Sequence, residues 1–81
     1  MQAFHIILMK KILITGASGF IGSFIVEEAL RLNMETWAAI RPTSSRRYLQ
    51  DSRIHFIELD FSSEEKLRQQ LEPHQFNYIV H

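Results

Sequence analysis

Three glycines, Gly16, Gly19 and Gly22, recur at intervals of three in Thr15-Gly16-Ala17-Ser18-Gly19-Phe20-Ile21-Gly22. Glycines at this spacing suit the binding of phosphate. Gly16 permits a tight turn, Gly19 lets backbone approach an anion that a Cβ would hold off, and Gly22 lets a following helix pack closely. The amides of Phe20 and Ile21, at the start of that helix, have no intrahelical acceptors, and the helix dipole adds positive potential beside them. Ser18 lies inside the same loop. No Gly-Lys-Ser/Thr follows, which excludes an ATP-type phosphate loop.

A second group stands 25 residues after Gly16, where Arg41 is followed by Ser44. A guanidinium binds phosphate bidentately and a hydroxyl adds a donor, so this pair suits a ribose 2′-phosphate; an acid at the same place would suit a free 2′-hydroxyl. Arg46 and Arg47 read as a solvated loop. Asp60 and Phe61 form a third group, the acid placed where a following helix dipole stabilises it. His5, His55 and His74 share no metal-ligand spacing and there are 0 cysteines, so no metal site is expected.

The elements that must position these groups follow from periodicity. The continuous apolar run Ile12-Leu13-Ile14 reads as a strand over Lys11 to Thr15, buried on both faces of a parallel sheet. Phe20, Ile21, Phe24, Ile25, Ala29, Leu30 and Leu32 then give a helix with a wide apolar stripe, Ser23, Glu27, Glu28 and Arg31 filling the opposite side. Asn33, able to adopt the left-handed conformation, ends it. Glu35 to Ile40 is a second strand, Arg46 to Gln50 one or two helical turns, and Ile54 to Leu59 a third strand. A capping box from Ser62 to Glu65 opens a helix that carries Leu67 and Leu71 and stops before Pro73; Phe76 to Val80 is a fourth strand. The alternation β-α-β-α-β-α-β predicts an α/β fold with right-handed crossovers.

Eighty-one residues, 46% of them apolar, allow one small domain. A formal charge of +0 and no basic face beside the aromatic residues argue against nucleic acid, and Trp37 with the phenylalanines reads as core. No apolar run is longer than that from Ile6 to Met9, which is far too short to span a membrane. Met9 reads as the working start, with residues 1–8 an N-terminal extension and 9–81 the domain. The absence of cysteine fits a reducing cytoplasm.

Thr-Gly-x-x-Gly-Phe-Ile-Gly over Thr15 to Gly22 resembles the cofactor-binding signature of the extended short-chain dehydrogenase/reductase superfamily, the NAD(P)-dependent epimerases and dehydratases, with the glycine spacing of its extended and atypical branches. The resemblance covers Met9 to His81 and implies the N-terminal part of a Rossmann doubly wound parallel sheet in strand order 3-2-1-4. It implies a nicotinamide dinucleotide, NADP with NAD as the alternative, held by Gly16, Ser18, Gly19, Phe20, Ile21, Gly22, Arg41, Ser44, Asp60 and Phe61. In members carrying Gly-Asp-Leu-x-Asp, the first aspartate bonds the adenine amino group; here Asp60 stands between Leu59 and Phe61, with Ser63 in the second acidic place. Tyr78-Ile79-Val80-His81 resembles the family's fourth strand, which runs on into His-x-Ala-Ala beside the cofactor.

Members that do redox chemistry use Tyr-x-x-x-Lys, the tyrosine acting as general acid/base. Tyr48 is followed four residues later by Ser52, and beyond Tyr78 the chain supplies no such position. The resemblance therefore implies an inactive cofactor-binding fragment of a longer epimerase, dehydratase or reductase acting on a nucleotide sugar or a small carbonyl or alcohol. The alternative is an atypical, non-catalytic NADP-binding sensor. A homo-oligomer is expected, the fragment self-associating through the open edge of its sheet.

Overall fold

In the computed structural model, which describes residues 9–81, the run Ile12-Leu13-Ile14 lies in β1 (Lys11–Ile14), with all three residues buried. The N-terminal extension assigned to residues 1–8 lies outside the described residues. The chain continues through α1 (Phe20–Arg31), β2 (Glu35–Ile40), β3 (His55–Glu58), α2 (Glu64–Leu71), a 3-10 turn over Glu72–His74 and β4 (Tyr78–Val80). All strand pairings are parallel, in the expected order β3-β2-β1-β4. Leu13 pairs with Trp37 on one side and Ile79 on the other, so β1 is central and its neighbours bury both of its edges.

Alternation along the strands turns Ile12, Ile14, Ala38 and Ile40 toward α1, where they pack with Val26, Ala29, Leu30 and the loop residues Leu49 and Ile54. This core is aliphatic. The expectation that the phenylalanines are core is overturned for Phe20, Phe24 and Phe61, which are exposed; Phe56 is half-buried and packs against the core, and Phe76 is half-buried. Trp37, on the opposite face, is half-buried. It stacks on His55 at 4.7 Å and contacts His74 and Phe76, with the Lys11 ammonium 5.2 Å from its ring. Its indole N–H donates to Glu35 Oε2.

The helix stripe is also rotated from the sequence expectation. The buried positions of α1 are Ser23, Val26, Ala29 and Leu30, an i, i+3, i+6, i+7 set, while Phe20, Ile21 and Phe24 face outward. Ser23 is accommodated because its hydroxyl donates to the Phe20 carbonyl at 2.7 Å. Asn33 ends α1 as expected, at φ 59, in a Schellman arrangement: its amide donates to Leu30 O and that of Met34 to Ala29 O.

Two local expectations fail. Arg46 to Gln50 forms a turn instead of a helix: Ser45 Oγ accepts the Arg47 amide, Leu49 N donates to Arg46 O, and buried Leu49 pins the loop to the core. The capping box does not form, and the N-cap lies one residue further on. Ser63, not Ser62, caps α2 by accepting the Lys66 amide, because Ser62 is held by the Asp60 carboxylate. Among the described residues no helix is long and apolar enough to cross a membrane.

Candidate functional site

Parallel strands bring the segments that follow them to one edge of the sheet, and the ends of β1, β2, β3 and β4 together enclose an open cleft of about 810 Å³. Its lining includes Gly16 and Ser18 after β1, Arg41, Thr43 and Ser44 after β2, Leu59 and Phe61 after β3, and His81 after β4. Arg41 is the single cation among these residues and there is no carboxylate.

The loop between β1 and α1 is built by its glycines. Gly16 adopts φ 64, in the left-handed region, with nothing within 4 Å of where a Cβ would stand; its requirement is conformational. Gly22 is required by contact. A Cβ there would lie 2.9 Å from Ala17 Cα and closer still to the Gly16 carbonyl oxygen, so the glycine allows α1 to seat directly on the loop. Gly19 is the extended residue preceding α1; its amide donates to Gly16 O at 3.2 Å and its carbonyl accepts from Ser23 at 2.9 Å. A Cβ on Gly19 would meet only that Gly16 oxygen, at 3.4 Å, so protein packing does not demand a glycine there. Among the described residues the amides of Phe20, Ile21 and Gly22 have no protein acceptor. They form a cluster of donors at the positive end of α1.

At the end of β2 the chain turns back on itself: Ser44 N donates to Arg41 O, and Ser44 Oγ accepts the Arg41 amide, each at 3.0 Å. The Ser44 hydroxyl hydrogen is thereby left for a further acceptor. The Arg41 guanidinium is exposed and has no carboxylate partner among the described residues. Arg46 and Arg47 are directed elsewhere, Arg46 over the Phe56 ring at 4.3 Å and Arg47 over Tyr48 at 5.1 Å. They stand outside the cleft lining, as a solvated loop would.

Asp60 does not line the cleft, whereas its neighbour Phe61 does. The Asp60 carboxylate accepts from both the hydroxyl and the amide of Ser62 and sits 3.8 Å from Lys66 Nζ. The Ser62 hydroxyl, then its amide, hold the Asp60 carboxyl below its ordinary range, so it stays ionised and fixes the turn that carries Phe61.

Thr15, Thr43 and His81 also line the cleft, beyond the residues that the sequence assigns to the cofactor. Thr15 Oγ1 lies 2.8 Å from His81 Nδ1 and 3.3 Å from Val80 O, tying the end of β1 to the end of β4. The signal for His81 was positional: in a parallel sheet, whatever follows a strand lands at the common edge. Among the described residues no group of three or more His, Cys, Asp or Glu could hold a metal.

An unpaired guanidinium and an exposed aromatic ring line a cleft wide enough for an extended anionic ligand; Gly19, Phe20, Ile21 and Gly22 are not in its lining, and their helix-start amides follow directly on the lining residues Gly16 and Ser18. A family model described as NAD dependent epimerase/dehydratase family matches residues 12–81. No match was found among the curated proteins or among the solved structures.

Proposed function

This chain belongs to the NAD dependent epimerase/dehydratase family, and on that premise we propose that its cleft binds NADP in preference to NAD. The observation that carries the preference is Arg41, a guanidinium at the end of β2 with no acid in the cleft to oppose it and the Ser44 hydroxyl beside it. The 2′-phosphate is held by these two side chains, the pyrophosphate by the amides of Phe20, Ile21 and Gly22, and the adenine lies against Phe61. Gly16 shapes the turn, Gly19 keeps the approach to the amides clear, and Ser18 adds a hydroxyl in the same wall. Asp60 contributes by holding the turn that presents Phe61.

A bound nicotinamide would supply hydride transfer, and the reading takes the reaction of the longer enzyme to be an NADP-dependent epimerisation, dehydration or reduction of a nucleotide sugar or a small carbonyl or alcohol. Tyr48 is followed at the fourth position by Ser52, and within these 81 residues the binding groups are not accompanied by a Tyr-x-x-x-Lys acid–base pair. A reducing compartment such as the cytoplasm suits a chain with 0 cysteines.

Calorimetric titration of NADP and NAD into the chain and into Arg41→Ala tests the reading. Arg41→Ala is expected to weaken NADP by roughly 10-fold or more, the worth of a charge-assisted hydrogen bond, and to leave NAD within about 2-fold. Equal losses for both ligands, or tighter binding of NAD to the unmodified chain, would remove the NADP preference. Absence of binding by either would remove the dinucleotide reading.

A further inference from the structure

Gln70 of α2 does for the end of β3 what a neighbouring strand would do. Its Oε1 accepts the Asp60 amide at 2.8 Å and its Nε2 donates to the Glu58 carbonyl at 3.3 Å. A residue of a parallel strand makes the same pair of bonds, to the carbonyl before and the amide after the residue it faces. The residue bracketed here is Leu59, one position beyond β3 and in the wall of the cleft. A backbone amide only donates and a carbonyl only accepts, so the two partners settle which end of the carboxamide is oxygen. Ionised glutamate lacks the donor for this arrangement, and asparagine is a methylene short. The adjacent Gln69 is spent within the helix, donating to Glu65.

No residue of α2 is buried, so its placement against the sheet leans on polar ties. One helical turn before Gln70, Lys66 Nζ stands 3.8 Å from the Asp60 carboxylate. Asp60 is thus held from one helix at both its amide and its side chain, and the residues on either side of it, Leu59 and Phe61, line the cleft. Among the described residues the Asp60 amide has no acceptor besides Gln70. We infer that Gln70 is a positioning residue for the wall of the cleft at β3: by pairing with Glu58 and Asp60 it sets Leu59 and Phe61, from a helix that contributes no lining residue of its own. The inference rests on the proposed reading in which adenine lies against Phe61. Loss of the clamp acts on that wall and leaves the glycine loop and Arg41 as they are.

Amide hydrogen exchange and calorimetry on the full chain test this. In Gln70→Ala the Asp60 amide is expected to exchange about 5- to 10-fold faster, the worth of one neutral hydrogen bond, with the amides of β1 as slow as before. Gln70→Glu keeps the acceptor toward Asp60 and is expected to recover most of that protection. NADP and adenosine 2′,5′-bisphosphate both carry adenine, and each is expected to bind Gln70→Ala roughly 3- to 10-fold more weakly than the unmodified chain. Inorganic pyrophosphate, which has no adenine, is expected to bind the two alike; a variant that merely unfolds would lose it too. Equal exchange of the Asp60 amide in the two chains, no recovery in Gln70→Glu, an unaltered NADP affinity in Gln70→Ala, or an equal loss for pyrophosphate would each overturn the role of Gln70. The unmodified chain tests the reading beneath: if it binds neither NADP nor the bisphosphate, the dinucleotide reading fails and takes the inference with it.

Discussion

A methyl group added at Gly22 would stand 2.9 Å from Ala17 Cα and nearer still to the Gly16 carbonyl oxygen, both backbone atoms that no rotamer change can move aside. The same addition at Gly16 meets open space and only the cost of the left-handed conformation. The two glycines of one motif therefore differ in kind, and substitution separates them. Gly16→Ala is expected to cost about 1–2 kcal/mol, the price of φ 64 for a residue with a Cβ. Gly22→Ala must displace α1 from the loop and is expected to cost about 3 kcal/mol, the upper end of overpacking penalties. Urea midpoints measured on the two variants check the order; an equal shift would show that α1 does not rest on the Gly16 carbonyl. Because the displaced helix carries the free amides, Gly22→Ala should also weaken NADP binding, whereas the contact argument alone makes no such demand of Gly16→Ala.

At the scale of elements, the start of α2 shows how neighbouring serines divide their work. Ser63 Oγ accepts the Lys66 amide, and Ser62 is drawn to Asp60 instead. Ser63→Ala is expected to cost about 1 kcal/mol, the usual worth of a lost N-cap. Ser62→Ala should cost less, because its partner is an exposed carboxylate that water can serve. A larger effect at Ser62, seen by thermal unfolding, would return the cap to the position the sequence suggests. The sequence could reveal the strands and their order because Ile12-Leu13-Ile14, the Asn33 stop and Pro73 act locally and through period. It could not reveal the facing of α1, since Phe20, Ile21 and Phe24 look like core by type, and only the seating of Gly22 on the loop rotates Ser23 inward. The same holds in the cleft. Glycine spacing and the place of Arg41 are legible along the chain, but Thr15 and His81 are 66 residues apart and meet only after β1 and β4 pair.

For the molecule as a whole, the two outer strands differ. β3 exposes His55 and Glu58, polar groups that discourage pairing, whereas β4 presents Tyr78 and Ile79, 51% and 53% exposed, beside a row of backbone donors and acceptors that no strand among the described residues pairs. The outer side of α1 adds Phe20, Ile21 and Phe24 to the exposed apolar surface. The 81-residue chain is therefore expected to self-associate at micromolar concentration, and Ile79→Lys to shift it toward monomer by placing a charge on the edge. Sedimentation velocity decides this, and a monomeric unmodified chain would refute it. The lone tryptophan has a further use. Trp37 lies on the sheet face opposite the α1 core, touched by His55 of β3, His74 of the 3-10 turn, Phe76 and Lys11 of β1. Its fluorescence is consequently a built-in gauge of whether segments more than 60 residues apart are still assembled. Fraying of the cleft loops is expected to leave that light unchanged, and the colour of its emission to shift when the sheet or the 3-10 turn packed on it comes away.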